Sequence, residues 1–370
     1  MNQIKVLHVA GQMDRGGTEA LLMSLLRTVD KQQFSFDFVE QTEKICDYDN
    51  EILSLGSKIY RCPHISASNV KQYRKWWRQF FKDHPEYKII HGHSRGSAPI
   101  YLDEANKAGR VTILHCHNNS HGKGIKGFIR FIWQLPLRKM ADYNFACSYD
   151  SGVSQFGKNS DFTVIKNGIN AIDYDWDANV RRKTRNEMAL SDKFVVGNVA
   201  RFVEQKNHLF LIEVFKAICD IKDNAVLLLI GEGPKENEIK EKIRDYGLED
   251  KVIFTGVRSD VNKLYLAMDV FVLPSLFEGF GIVNIEAQTS GLPCFVSEKV
   301  VPQEVNVTDA IHYISLKRSA DYWAKVILDN TISERNRSSK VADIIAHGYD
   351  ISSTLEFLTD FYTEVSGDEH

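Results

Sequence analysis

"VFVLPSLFEGFGIVNIEAQTSGLPCFVS", residues Val270 to Ser297, is the stretch on which the fold turns. A β-branched and aromatic run of strand length stops at Pro274 and Ser275, glycines 279 and 281 turn the chain, and a helix from about Ile282 runs to a Gly291 cap. "PCFVS" then starts a new strand. Strand, glycine turn, helix and strand make one crossover unit of a parallel sheet, since parallel neighbours cannot be joined by a tight hairpin.

The alternation continues upstream. "FVVGNVAR" (Phe194 to Arg201) is followed by a helix from about His208 to Ile218, the strand "AVLLLIG", a charged helix near Lys235 to Tyr246, the strand "VIFTG" and a short helix around Val261 to Ala267. This reads as a doubly wound sheet. The first half carries a second one. "IKVLHVA" precedes a helix from about Thr18 to Thr28, with strands near Phe36 to Glu40, Lys88 to His91, Thr112 to His115 and Asn144 to Cys147. "FTVIKNGI", Phe162 to Ile169, is expected to be the last strand of that half, ended by Asn167 and Gly168. The polar "NAIDYDWDANVRRK" after it is the expected connection between domains. The expected division is residues 1–172 and 173–350, with Leu355, Leu358, Phe361 and Tyr362 at helical spacing in a last helix over 351–365.

A chain of 370 residues suits two domains of roughly 150 to 200 residues each. With 43% hydrophobic and 26% charged residues and a net charge of -3, the composition is that of a soluble globular protein, not of a basic nucleic-acid binder. "MNQIKVLHVAG" has too little charge and too short an apolar run for a signal peptide. No run approaches the roughly 18 apolar residues of a membrane span. Six scattered cysteines fit free thiols in a reducing cytosol.

Ligands of doubly wound sheets sit at the carboxyl ends of the strands. There the N–H groups of Gly281, Ile282 and Val283 open a helix and suit an anion, Glu286 stands one turn on within reach of hydroxyls attached to that anion, and Glu278 faces the other side. Arg201 ends a strand at the same sheet edge and Lys206 follows it, so two cations converge on the same place, as a diphosphate leaving group needs. Plainer readings stay open at this level: two glutamates favoured by a helix dipole, and two solvated basic residues.

The set "GGTE" (Gly16 to Glu19), "HCHN" (His115 to Asn118), "ARFVEQKNH" (Ala200 to His208), "GEGP" (Gly231 to Pro234), "FTGVRSDV" and the Glu278/Glu286 pair, in this order, resembles the retaining glycosyltransferases of family 4. The likeness runs from the first strand to about Gly291, and "IIHGHSRGS", "ILHCHNNS" and "FACSYDSG" make the chain most similar to bacterial exopolysaccharide and capsule enzymes. The resemblance implies an α/β protein of two Rossmann-like domains facing a cleft, the GT-B arrangement, with the last helix crossing back to the N-terminal, acceptor-binding domain. It implies a donor site in the C-terminal domain in which Arg201 and Lys206 hold the diphosphate and Glu286 the ribose. Glu278, Phe280 and Gly281 hold the sugar, with Val257, Ile282 and Val283 beside them. Gly16 and Gly17 close over the diphosphate, and His117 contacts the sugar near the reacting carbon. The catalytic set is His117, Glu278, Arg201 and Lys206. Retention follows from attack on the face the diphosphate leaves, so the two glutamates act as donor clamps, not as acid and base. Neither cofactor nor metal is implied. The donor is a UDP-sugar by analogy, the acceptor a glycan or a polyprenyl-diphosphate-linked glycan, and the location cytoplasmic, at the inner face of the membrane. A sugar phosphorylase or nucleotide-sugar epimerase of the same architecture, and an inactive sugar-nucleotide-binding partner protein, are the alternatives. An NAD-dependent enzyme is disfavoured, because neither half shows the Gly-x-Gly-x-x-Gly turn with its acidic residue.

Three further features raise other chemistries. Asp47/Asp49 and Asp173/Asp175/Asp177 follow the Asp-x-Asp pattern used elsewhere for Mg²⁺ or Mn²⁺, but neither follows a strand in the ligand position. His91/His93 and His115/His117 each set two imidazoles on one face of a strand, a spacing zinc can use, yet a closed site needs two more ligands. Lys123 to Ala141, "KGIKGFIRFIWQLPLRKMA", mixes basic and aromatic residues as a helix lying on an anionic bilayer does.

Overall fold

The computed structural model describes residues 3 to 117 and 132 to 367. The chain divides into two units, one made of Met1–Ile169 with Asp350–His370 and the other of Asn170–Tyr349. Each is built on an entirely parallel sheet with helices on both faces.

In the first unit the strands are β1 (Ile4–Ala10), β2 (Phe34–Glu40), β3 (Ile59–Arg61), β4 (Ile89–Gly92), β5 (Val111–Cys116), β6 (Tyr143–Ala146) and β7 (Thr163–Val164), in the order β3-β2-β1-β4-β5-β6-β7. Alternation along the strands divides the side chains between two layers. Leu7, Val9, Ile90, Leu114 and Cys116 face the helices Val70–Asp83 and Ala98–Lys107, packing with Tyr73, Trp77 and Tyr101. Val6, Ile89 and Ile113 face the helices Gly17–Thr28 and Ile351–Ser366, where Leu22, Leu358 and Tyr362 meet them. The last helix therefore belongs to the first unit, and its start is tied down where Gly168 lies so close to Asp350 and Thr354 that no side chain fits. The strand expected over Phe162 to Ile169 is shorter than the sequence suggested. Only Thr163 and Val164 pair as strand, because the chain then leaves the sheet edge to meet Asp350.

The second unit holds β8 (Phe194–Val199), β9 (Ala225–Ile230), β10 (Val252–Phe254), β11 (Val270–Leu273), β12 (Cys294–Ser297) and β13 (Ile311–Ile314), ordered β10-β9-β8-β11-β12-β13. The order reverses between β8 and β11, which puts the switch point of the sheet beside the loops after those two strands. Phe215, Leu227, Leu229, Val272 and Trp323 form the core of one face. On the other face, three buried arginines finish the short helix Val261–Ala267. Arg181, Arg185 and Arg337 donate to the carbonyls of Tyr265, Leu266, Ala267 and Met268, giving those groups the partners that a helix end lacks.

Candidate functional site

The loops after β8 and β11 are stitched together by hydrogen bonds. Leu276 donates its N–H to the Gln205 carbonyl at 2.8 Å, Gln205 Nε2 to the Phe277 carbonyl at 2.9 Å, and Asn207 Nδ2 to the Pro274 carbonyl at 3.0 Å. Asn207 adopts a left-handed conformation, φ 56°, to turn the chain into the helix His208–Ile221. The neighbouring loop after β9 joins them through its glycines. A side chain at Gly231 would strike the Ala200 carbonyl, and one at Gly233 the backbone of Phe202, so "GEGP" serves to bring that loop against the segment carrying Arg201.

Within this frame Lys206 Nζ lies 2.6 Å from Glu278 Oε1, and Ser275 donates its hydroxyl to the same oxygen at 2.6 Å. Glu278 is only 5% exposed and Ser275 fully buried. The sequence suggested Lys206 as a cation aimed at a diphosphate; in the structure its charge is compensated by the carboxylate expected to clamp the sugar. Arg201 is exposed and forms no ion pair among the described residues. Gly281, at φ 79°, turns the chain where a side chain would meet Asn284, and the N–H groups of Gly281, Ile282 and Val283 have no acceptor among the described residues. Phe280 is buried and stacks on Tyr349, ring centroids 5.4 Å apart, which anchors the turn from below.

Glu286 stands apart from this group. Tyr265 donates its hydroxyl to Glu286 Oε2 at 2.8 Å, and burial pushes the Glu286 carboxyl above its ordinary range. Val257 is 42% exposed just after Gly256, which turns at φ 66°. Ser275 and Tyr265 were not singled out in the sequence. Serine at a strand end and tyrosine in a short amphipathic helix carry no local signal; their role appears only once the carboxylates lie beside them.

In the first unit, Gly16 precedes the helix Gly17–Thr28 as its N-cap and Glu19 lies in the first turn. His117, just after β5, is hydrogen-bonded through Nε2 to His93 Nδ1 at 2.9 Å, and burial lowers its pKa to about 3. The pairs His91/His93 and His115/His117 do share one face, and His8 of β1 joins them. The Asp-x-Asp residues are occupied otherwise. Asp47 accepts the Arg15 N–H, Asp49 pairs with Arg61, and Asp177 caps the helix Ala178–Glu187 by accepting from Asn179 and Val180. Residues 123–131 of the basic, aromatic stretch lie outside the described residues. In the remainder Ile132, Trp133 and Leu135 are exposed, and Trp133 donates to the Gly96 carbonyl at 2.9 Å. No helix among the described residues is long and apolar enough to cross a membrane.

The family model described as "Glycosyl transferases group 1" matches residues 180–342, which hold every loop of the second unit's site. EpsF of Bacillus subtilis (strain 168), provisionally called a glycosyltransferase, is 32% identical over 383 residues, covering 100% of this chain and 99% of its own. The chain belongs to the group 1 glycosyltransferases. Another relative of this glycosyltransferase is the UDP-Gal:alpha-D-GlcNAc-diphosphoundecaprenol alpha-1,3-galactosyltransferase of Escherichia coli, 24% identical and covering 80% of each chain. Among solved structures, Anabaena HepE in complex with UDP and glucose matches 98% of this chain and 100% of its own with a TM-score of 0.80 at 17% identity, a likeness of fold. The α/β architecture of two Rossmann-like units, each with its own parallel sheet, is the one that the sequence led us to expect.

Proposed function

We propose that this glycosyltransferase is a retaining, metal-independent enzyme of family 4 that moves a sugar from a UDP-sugar to a glycan or polyprenyl-diphosphate-linked glycan in exopolysaccharide or capsule synthesis. The observation that carries the reading is the Lys206–Glu278–Ser275 cluster beside three unspent N–H groups, held at the switch point of the second sheet. A departing nucleoside diphosphate develops negative charge, and groups already placed for that charge lower the barrier by far more than groups that must first reorganise. Arg201, Lys206 and the N–H groups of Gly281, Ile282 and Val283 supply them. When the donor arrives, Lys206 exchanges part of its contact with Glu278 for a phosphate oxygen, and Glu278 turns its acceptors to sugar hydroxyls. Glu286 takes the ribose hydroxyls, with Val257 and Phe280 in the surrounding wall. Gly16 and Gly17 cover the diphosphate and His117 contacts the sugar. The acceptor oxygen attacks the anomeric carbon on the face the diphosphate leaves and passes its proton to the leaving oxygen, so configuration is retained and no protein nucleophile is used. The diphosphoundecaprenol acceptor and UDP-Gal donor named for the Escherichia coli relative, and the UDP in the Anabaena HepE complex, support the choice of donor and acceptor. The reaction takes place in the cytoplasm at the membrane's inner face, which the basic, aromatic stretch 123–141 contacts; flotation with anionic liposomes, lost on replacing Arg138 and Lys139 by glutamine, tests that contact.

The deciding measurement is a thermal-shift panel of UDP, GDP, ADP and TDP sugars, with and without EDTA, on wild type and Glu286→Ala. A ligand at one hundred times its Kd stabilises the native state by about 2.7 kcal/mol. We expect an EDTA-insensitive shift with UDP-sugars alone, absent in Glu286→Ala. No shift with any nucleotide sugar at millimolar concentration would overturn the reading.

A further inference from the structure

Glu286 is met by two phenols, one from each of two elements that precede it in the chain. Tyr265, on the helix Val261–Ala267, donates its hydroxyl to Glu286 Oε2 at 2.8 Å, and the Val283 carbonyl is a more distant acceptor at 3.4 Å. Tyr174, which ends the 3₁₀ turn Ala171–Tyr174, hydrogen-bonds the same carboxyl. The two rings stand beside one another, centroids 6.0 Å apart. Tyr265 is fully buried, whereas Tyr174 and Glu286 are half-buried, which leaves Glu286 within reach of a ligand.

The contact is held from behind. Arg337, itself buried, donates to the carbonyls of Tyr265 at 3.0 Å and Met268 at 2.8 Å, where the helix carrying Tyr265 ends. It also donates to the Ser290 carbonyl at 2.7 Å, where the helix Val283–Thr289 carrying Glu286 ends. One guanidinium therefore sets the spacing of the two helices. The Tyr265 ring stands edge-on to Phe271 of β11, 5.7 Å away, and Asn262 Nδ2 donates to the Asp173 carbonyl at 2.9 Å, which ties the turn bearing Tyr174 to the helix bearing Tyr265. Side chains ordered by the fold spare a ligand the cost of ordering them.

A hydrogen bond from a phenol favours the ionised carboxyl over the protonated one, because the carboxylate is the stronger acceptor. Both phenols thus oppose the burial that raises the Glu286 carboxyl, and they are the titratable groups that act on it among the described residues. Of about four lone-pair directions on a carboxylate, two are then spent on the protein and two remain. We propose that Tyr265 and Tyr174 are positioning residues that hold Glu286 as an acceptor-only carboxylate, suited to a ligand that offers a pair of neighbouring hydroxyls. That the pair belongs to the ribose of a nucleotide sugar rests on the function proposed above; the hold of the phenols on the carboxyl does not.

Carbon-detected pH titration of ¹³C-glutamate-labelled protein, without nucleotide, reads the Glu286 carboxyl, assigned by its absence in Glu286→Gln. Its midpoint should move to higher pH in Tyr265→Phe and in Tyr174→Phe, and further in the double variant, since each change removes a donor that favours the charge. The affinity of Tyr265→Phe for a UDP-sugar should then weaken, relative to wild type, by up to about tenfold for each pH unit below the raised midpoint, and largely return above it. A phenol that merely packs would lower the melting temperature without moving the midpoint or the pH profile. A midpoint that stays in place in both single variants, or moves down, would overturn the inference; Tyr174→Phe, at a half-buried residue, decides it if Tyr265→Phe does not fold. Raised midpoints in a protein that binds no UDP-sugar would sink the proposed function and leave this inference standing, and UDP-sugar binding with unmoved midpoints would do the reverse.

Discussion

The carboxyl edges of the two sheets solve the same problem in opposite ways. In the first unit, polar groups in a dry place are neutral imidazoles that pair with one another and, at His91 Nδ1, with the Tyr362 hydroxyl at 2.6 Å. In the second, they are full charges, and Lys206 and Glu278 neutralise each other. A neutral array tolerates the absence of counter-charge but resists protonation. In an ion pair, by contrast, neither partner can be lost without leaving a buried charge behind. The two units should therefore fail under different insults.

Acid should produce the largest effect, and in the first unit. Imidazoles held near pKa 3, as in His8, take up protons below pH 6.5 only when unfolded, so stability falls as pH drops from 6.5 toward 3. Glu40 works in the opposite sense. Its carboxyl is raised to about 7 by burial and by Asp49, so between pH 7 and 4.5 the native state holds a proton that the unfolded chain has released, which offsets one histidine. His91, His93, His115 and His117 are held down in the same way, so after the offset by Glu40 the first unit loses stability between pH 6.5 and 4.5, each uncompensated imidazole contributing about 1.4 kcal/mol per pH unit. The second unit carries the same liability in smaller measure, since burial lowers His208 to about 4 and also lowers His312, against a raised Glu286. Calorimetry across that range should show the first unit's transition moving down more steeply than the second's; equal movement would break the contrast.

Next in size is Lys206→Ala, which leaves the buried Glu278 carboxylate without its lysine counter-charge. A loss of about 3 kcal/mol in the second transition is expected, with transfer activity lowered by roughly 10²- to 10³-fold. Chemical denaturation and initial rates with the donor chosen by thermal shift would check both. Ser275→Ala removes one hydrogen bond to the same carboxylate and should cost roughly 2 kcal/mol in the same transition. Smallest is Tyr362→Phe. It strips His91 of its one hydrogen-bond partner among the described residues, and the first transition should drop by about 1 kcal/mol, a shift of roughly 2–4 °C in Tm.

Much of the fold could be read before any coordinates, because continuous apolar runs such as "AVLLLIG" can only be strands covered on both faces. β3 and β13 escaped notice for the converse reason: three and four residues of mixed character, "IYR" and "IHYI", carry too little pattern to separate from loops. At the site, the spacing of Arg201, Lys206, Glu278 and Glu286 placed them at one sheet edge. It could not tell which would touch, since the Lys206–Glu278 contact depends on Gln205 and Asn207 stitching two loops together through backbone carbonyls. The histidine pairs were visible as alternate residues. That His8 would join them was not, because parallel register between strands distant in sequence leaves no mark in either one.

The return of the helix Ile351–Ser366 to the first unit also sets a timetable for synthesis. The second unit is continuous in the chain and can close as soon as Tyr349 has left the ribosome. The first unit, translated earlier, must wait for Leu358 and Tyr362 before the histidine face of its sheet is covered. At roughly 5–20 residues per second that wait is on the order of ten seconds or more. In this nascent protein, the half that is made first is finished last.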